Sequence, residues 1–349
     1  MNYDLFNGDA DGICALLQLR KAEPRDAEII TGVKRDINLL GKVSAAAGDQ
    51  ITVLDVSMDK NKDALNAALE AGADVFYVDH HKPGDIPESD RLTAIINEAP
   101  DVCTAALVNG HLDGAYLDWA VTGAFGDNLK DTARSLAKGL DISSEDLDAL
   151  EALGTYINYN GYGPSIDDLH YDPKDLYLKL YAAEGPLDFV ANSPDFTKLS
   201  TGYKEDMGAA ESLKPEYADA STAVFILPNE AWARRVSGVY SNDLASDNPE
   251  RAHAVLTIKD NGNYLVSVRA PMTNKQGAAD LCMQFPTGGD RAGAAGINDL
   301  HADSLDEFVA AFPDATEDMF KAADLNADGM LSEDEHIAAV NAGVLPPAE

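Results

Sequence analysis

The sequence predicts an α/β protein: a parallel-sheet domain, a smaller α/β domain after it, and a helix–loop–helix tail. Three observations carry that expectation. Strand-like apolar runs alternate with helical periodicity through the first half, which favours a parallel sheet. Three of those runs end in acidic residues. From about Ala220 the texture changes, to runs that alternate or stay apolar around a hairpin turn at Asp260-Asn261-Gly262-Asn263. The expected boundaries are 1–205 with a helical connector, 218–313, and 314–349.

Taken in order, Tyr3–Phe6 reads as a strand, and Asn7-Gly8-Asp9-Ala10-Asp11-Gly12 as the turn after it. Ile13, Leu16 and Leu17 then fall at helical spacing. Glu28–Thr31 is a second strand. Ile51–Leu54 is a third, running into Asp55. Asp63–Ala71 is helical, with Gly72 as its stop. Val75–Val78 leads to Asp79-His80-His81. Cys103–His111 and Ala115–Phe125 read as helices, the second ending at Gly126-Asp127-Asn128. Ser143–Leu153 is a helix with a serine N-cap. Asn158-Tyr159-Asn160-Gly161-Tyr162-Gly163 reads as a polar, aromatic loop, and 171–213 as mostly helical. In the second domain, Ala223–Leu227, Ala252–Ile258 and Tyr264–Arg269 are strands. Gly277–Phe285 and Leu305–Phe312 are helices, and a Gly-rich loop spans Thr287–Gly296.

The chain has 349 residues, of which 45% are hydrophobic, so a sizeable core is expected. No apolar run approaches the roughly 18 residues that a membrane span needs. The first residues, MNYDLFNGDADG, lack the basic-then-apolar order of a signal peptide. The expected location is the cytoplasm, with no membrane partner. Cys14, Cys103 and Cys282 lie far apart with no Cys-x-x-Cys, which argues for small buried residues over a disulfide framework or a zinc ribbon. A formal charge of −34 repels a polyanion on average, and no Lys/Arg run offers a track for long duplex nucleic acid. The substrate is therefore expected to be small, or the site locally positive through metal ions.

Ligands of open parallel sheets sit beyond the carboxyl ends of the strands. Asp9 and Asp11, Asp55, and Asp79-His80-His81 follow three successive strands, so one sheet edge should gather them, and Asp127 can join there. Asp9 and Asp11, two apart, can project to one side of an extended backbone. Carboxylates with one or two imidazoles suit Mn²⁺ or Mg²⁺. Two such ions about 4 Å apart clamp a phosphoryl group and lower the pKa of a bound water. Metal also relieves the repulsion of so dense a carboxylate cluster.

The ordered motifs NGDADG, VLDVS, VDHHKPG, GAFGDN and GGDRAGAAG resemble the DHH phosphoesterase family with its DHH-associated C-terminal domain, over roughly residues 1–313. RecJ-type exonucleases, nano-RNases and cyclic-dinucleotide phosphodiesterases share that plan. The resemblance implies one ion on Asp9 and Asp55, and another on Asp11, Asp55, His80 and Asp127. It implies Asp79 as an orienter of the histidines, and His81 on the scissile phosphate or leaving group. Gly288, Gly289, Asp290 and Arg291 resemble the start of the family's GGGHxxAAG loop, with Asp290 for a glycine and Arg291 for a histidine. Arg291 and Arg269, the latter in a Ser-x-Arg, are then phosphate ligands. One departure concerns the first ion. Leu5 stands where several members have a histidine, and Asn7 where RecJ-like members have an aspartate. The pyrophosphatases of the family use that histidine, which disfavours their activity here.

The resemblance thus implies a Mn²⁺- or Mg²⁺-dependent phosphodiesterase that cuts short oligonucleotides or linear dinucleotides such as pGpG into 5′-mononucleotides. Tyr159 or Tyr162 is a candidate base-stacking surface. Cyclic-dinucleotide hydrolysis, single-strand exonuclease action and a non-catalytic, calcium-responsive nucleotide sensor are the alternatives. Separately, Asp324–Glu335 fits the EF-hand loop, with Asp324, Asn326, Asp328, Met330 and Glu335 as Ca²⁺ ligands and Gly329 at the turn. That tail is expected to pack on the enzyme or across a homodimer.

Overall fold

A computed structural model describes residues 1–312. The expected calcium loop from Asp324 to Glu335 lies outside the described residues. The chain divides into two compact units, Met1–Glu205 and Asp206–Glu349.

In the first unit, five parallel strands lie in the order β2-β1-β3-β4-β5. They are β1 (Asn2–Phe6), β2 (Glu28–Ile30), β3 (Gln50–Leu54), β4 (Asp74–Asp79) and β5 (Leu92–Ile96). The helices are α1 (Ala10–Ala22), α2 (Lys62–Glu70), α3 (Thr104–His111), α4 (Leu117–Gly126), α5 (Lys130–Ala137), α6 (Ser144–Asn160), α7 (Pro173–Ala182), α8 (Pro186–Asn192) and α9 (Pro194–Glu211), the last ending in the second unit. The strand alternation sends each face to its own core. Phe6, Leu54 and Val78 pack with Ile13, Leu17, Trp119 and Leu153. Tyr3, Leu5, Ile51, Val53, Val75 and Tyr77 pack with Leu65 and Ala68 of α2.

Where α1, α4 and α6 converge, glycines set the spacing. A Cβ at Gly126 would lie 2.2 Å from the Ala10 Cβ, and one at Gly154 would lie 2.2 Å from the Thr122 carbonyl oxygen. Backbone cannot retreat from such an overlap as a flexible side chain can. Gly154→Ala is therefore expected to lower the unfolding free energy by about 1–3 kcal/mol, the usual range for overpacking. Urea unfolding measures it, and an unchanged midpoint would mean that α6 shifts freely.

Two sequence expectations change here. The helix after β1 starts at Ala10, not Ile13. Asp9 is its N-cap and accepts the Gly12 N–H at 3.1 Å, so Asp11 lies in the first helical turn and not on extended backbone. The segment read as a loop from Asn158 is the end of α6 as far as Asn160. Tyr159 there is fully buried, its hydroxyl paired with His170 Nε2 at 2.7 Å, so it offers no ring to a base.

The second unit is a mixed six-stranded sheet, ordered β10-β11-β9-β8-β7-β6. Its strands are β6 (Tyr217–Ala218), β7 (Thr222–Leu227), β8 (Ala252–Ile258), β9 (Tyr264–Arg269), β10 (Gly288–Arg291) and β11 (Ala294–Leu300). Only β7 and β8 run parallel; α10 (Ala231–Asp247) connects them, and α11 (Ala278–Cys282) follows β9. The expected Gly-rich loop is a β-hairpin, with Gly289 opposite Gly296 and Arg291 opposite Ala294. The Gly288 N–H donates to the Phe285 carbonyl, and a Cβ there would meet the Cys282 carbonyl oxygen at 1.8 Å. Close backbone approach accounts for that glycine; at Gly289 nothing lies within 4 Å.

Candidate metal centre

Strands β1, β3 and β4 are neighbours and parallel, so their carboxyl ends share one edge. Asp9 and Asp11 follow β1, Asp55 follows β3, and Asp79 closes β4 with His80 and His81 behind it. Asp127, C-cap of α4, completes the group. Asp9, Asp11, Asp55 and Asp79 are all buried.

His80 sits at the centre. Its Nδ1 lies 2.8 Å from the Val102 carbonyl oxygen, which only a protonated Nδ1 can satisfy, so Nε2 is the ring atom turned to the carboxylates. That Nε2 lies 3.5 Å from Asp55 Oδ1 and 3.9 Å from both Asp11 Oδ2 and Asp127 Oδ2. His81 Nδ1 pairs with Asp79 Oδ1 at 2.7 Å, which fixes its ring in turn. Asp55 takes φ +59°, a left-handed conformation that costs an L-residue about 1–2 kcal/mol. The bond from its N–H to the Val78 carbonyl, at 3.0 Å, holds the turn.

Three residues that sequence reasoning passed over complete the geometry. Thr104, first in α3, donates its hydroxyl to Asp55 Oδ1 at 3.2 Å. The N–H groups of Thr104 and Ala105 each donate to Asp11 at 2.7 Å, so a helix N-terminus orients that carboxylate. Lys34 Nζ lies 2.7 Å from Asp9 Oδ2 and donates to Asn158 Oδ1 at 2.9 Å. The available signal was position: Lys34 follows β2 at the same sheet edge, four residues beyond Ile30.

The electrostatics match this layout. Burial, then Asp11, Asp9, Asp127 and Asp79 around it, push the Asp55 carboxyl well above the usual range. Burial, then Asp11, pushes Asp127 up to about 6. Burial also acts upward on Asp9, but Lys34 overrides it and holds Asp9 down at about 2. Burial disfavours charge on His81, yet Asp79 raises its pKa.

Among the described residues, two sets of ligand atoms come close enough to hold a cation: Asp55 with His80 and His81, and Asp11 with His80 and Asp127. Mixed carboxylate and imidazole donors suit Mn²⁺, Mg²⁺ or Fe²⁺. Two buried acceptors, Asn7 Oδ1 and Asp79 Oδ2, have no hydrogen-bond partner among the described residues. A positive guest relieves this excess of buried negative charge, and the residues present fit one.

Comparisons with known proteins bear on the family of the first unit and on the fold. Residues 4–137 match the DHH family, N-terminal domain. Solved structures share the fold over most of the chain. An exonuclease RecJ bound to manganese has a TM-score of 0.58 at 16% identity, covering 88% of each chain. A pGpG-specific phosphodiesterase, PggH from Vibrio cholerae, has a TM-score of 0.57 at 17% identity, covering 91% of this chain and 99% of that one. RecJ from Thermus thermophilus in complex with Mn²⁺ reaches 0.60 at 17% identity, and the match covers 88% of the present chain but only 51% of that one. No curated protein matches the chain.

In the second unit, Arg269 ends β9. Its Nε donates to Asn242 Oδ1 at 2.8 Å, and one terminal nitrogen donates to Ser267 Oγ and the Val268 carbonyl, each at 3.0 Å. Ser267 and Arg269 share a face of β9, as residues two apart on a strand do. Arg291 ends β10. No helix among the described residues is long and apolar enough to cross a membrane.

Proposed function

We propose that the protein is a divalent-metal-dependent phosphodiesterase that hydrolyses short oligonucleotides or linear dinucleotides to 5′-mononucleotides. The carrying observation is His80 Nε2, an imidazole nitrogen within 3.9 Å of three carboxylates at the strand ends of the region that matches the DHH N-terminal domain. Mn²⁺ or Mg²⁺ held there by Asp11, Asp55, His80 and Asp127 supplies an activated water and neutralises charge on the phosphoryl oxygens.

The chain's own residues do the rest. Asp79 holds the His81 ring by Nδ1 and favours its charged form, the form from which Nε2 can donate toward a phosphoryl or leaving-group oxygen. Asp11 stays oriented by the α3 amides. Arg269, Arg291 and the backbone around Gly288 and Gly289 belong to this reading as anchors for a second phosphate, with guanidinium forks suited to it. The RecJ and PggH neighbours, an exonuclease and a pGpG-specific phosphodiesterase by name, support phosphodiester cleavage. The charge of −34 supports a short substrate over a long duplex.

The test is a panel with Mn²⁺ of pGpG, other dinucleotides, longer RNA, single-stranded DNA and cyclic dinucleotides. The expected result is fastest release of 5′-mononucleotides from dinucleotides. Preference for long single strands or cyclic substrates would overturn the substrate reading, and no hydrolysis of any would overturn the enzyme. A calcium loop at Asp324–Glu335 belongs to the same proposal. Running the panel with Ca²⁺ tests it, since Glu335→Gln should remove any calcium response.

A further inference from the structure

Asp9 is absent from both sets of ligand atoms that can gather on a cation, although it sits at the same sheet edge. Its carboxylate is already engaged on both oxygens: Oδ1 accepts the Gly12 N–H, and Oδ2 faces Lys34 Nζ at 2.7 Å. The positions beside it add little charge for a second ion. Leu5 is fully buried in the apolar core and offers no donor, and Asn7 offers one neutral, unpartnered oxygen, its nitrogen donating to the Lys34 carbonyl at 3.2 Å.

Lys34 is built into this position from several directions. Its N–H donates to the Gly161 carbonyl at 2.8 Å. Its ammonium donates to Asn158 Oδ1 at 2.9 Å and lies 5.4 Å from the centre of the Tyr162 ring. Gly161 allows the approach, because a Cβ there would meet the Gly8 carbonyl oxygen at 3.1 Å and the Asp9 Cα at 3.3 Å. The Asn158–Gly163 stretch therefore serves as the seat of a lysine. The side chain is only a quarter exposed.

We propose that the Lys34 ammonium stands in the place of one of two divalent cations, so that this centre holds a single metal ion, on the His80 side, beside a fixed positive charge on Asp9. A lysine on a carboxylate keeps the local charge balance without needing a metal, and its remaining N–H can donate to a phosphoryl oxygen. It cannot act as a Lewis acid on water, so water activation rests on the one ion at His80. The metal count is independent of the hydrolytic reading; only the kinetic consequence rests on it.

The test uses full-length protein stripped with chelator and reloaded with excess Mn²⁺, read by electron paramagnetic resonance. Two Mn²⁺ ions at bridging distance give a spin-coupled spectrum, whereas an ion elsewhere in the chain gives an uncoupled one. The wild type is expected to show no coupled pair, and Asn7→Asp with Lys34→Ala is expected to create one. A coupled pair in the wild type overturns the proposal, as does its absence in a double variant that circular dichroism shows to be folded. Lys34→Met provides a second arm. It should keep Mn²⁺ affinity at His80 within about threefold and slow pGpG turnover about 100-fold, the scale of losing one charged stabiliser of the transition state. Unchanged turnover in Lys34→Met overturns the role given to the ammonium at the phosphate, and the spectra decide the metal count. If no substrate is hydrolysed by the wild type, the enzyme reading fails while the spectra still decide the metal count.

Discussion

His80→Ala is expected to abolish turnover, with a loss of about a thousandfold or more, because metal binding and water activation fail together. His80 Nε2 is shared by both possible ligand sets, so no other single residue replaces it. Its Nδ1 bond to the Val102 carbonyl turns the other nitrogen toward Asp11, Asp55 and Asp127. Asp79→Asn probes a different step. The residue belongs to neither ligand set and acts by holding His81, so the expected loss is about 10–100-fold, typical of a group that orients another. Measuring Mn²⁺ binding by calorimetry alongside initial rates separates them. His80→Ala should lose both affinity and rate, and Asp79→Asn mainly rate. Equal rates in His80→Ala and wild type would remove the metal centre from the mechanism.

The same cluster predicts an opposite effect on stability. Asp55 is buried among Asp9, Asp11, Asp79 and Asp127, a repulsive set in the absence of a cation. Asp55→Asn should therefore raise the melting temperature of chelator-treated protein while removing the stabilisation that Mn²⁺ gives the wild type.

Much of this edge was legible because two sequence signals coincide there. Apolar runs fix β1, β3 and β4, and their residue types fix what lies at the ends, so Asp9, Asp55 and Asp79-His80-His81 could be placed from spacing alone. Lys34 was less legible although its strand was expected, because it stands four residues beyond β2 and a lone lysine carries no metal-ligand pattern. Thr104 acts through backbone amides and a short hydroxyl contact, which depend on where α3 begins. The edge strand β5 has no fully buried residue, and its polar surroundings hide it. In α10, Ser237, Ser241 and Asn242 interrupt the helical pattern; Ser241 is nonetheless fully buried and satisfied by the Ser237 carbonyl at 2.6 Å. The β10–β11 hairpin looked like a loop because its glycines carry no strand propensity, and close packing against the Cys282 carbonyl decides the conformation instead.

Asp4→Ala is expected to destabilise the first unit by about 3–5 kcal/mol, the cost of leaving a buried charge without its partner. Asp4 lies in the middle of β1, almost fully buried, and forms a fork with Arg20 of α1: Nε and one terminal nitrogen each lie 2.6 Å from its oxygens. Arg25 adds a third contact at 3.1 Å, and both arginines also donate to the Thr52 hydroxyl on β3. Removing the carboxylate strands Arg20, which is 5% exposed and cannot turn to solvent. The strength of the pair itself is a separate matter. Desolvating two ions offsets most of their attraction, so Asp4→Leu with Arg20→Met should be much less destabilising than Asp4→Ala alone. Urea unfolding of the single and double variants, fitted with a common slope, distinguishes the cases. If the double variant is as unstable as the single one, the pair contributes stability of its own, and the loss in Asp4→Ala does not come from an orphaned guanidinium.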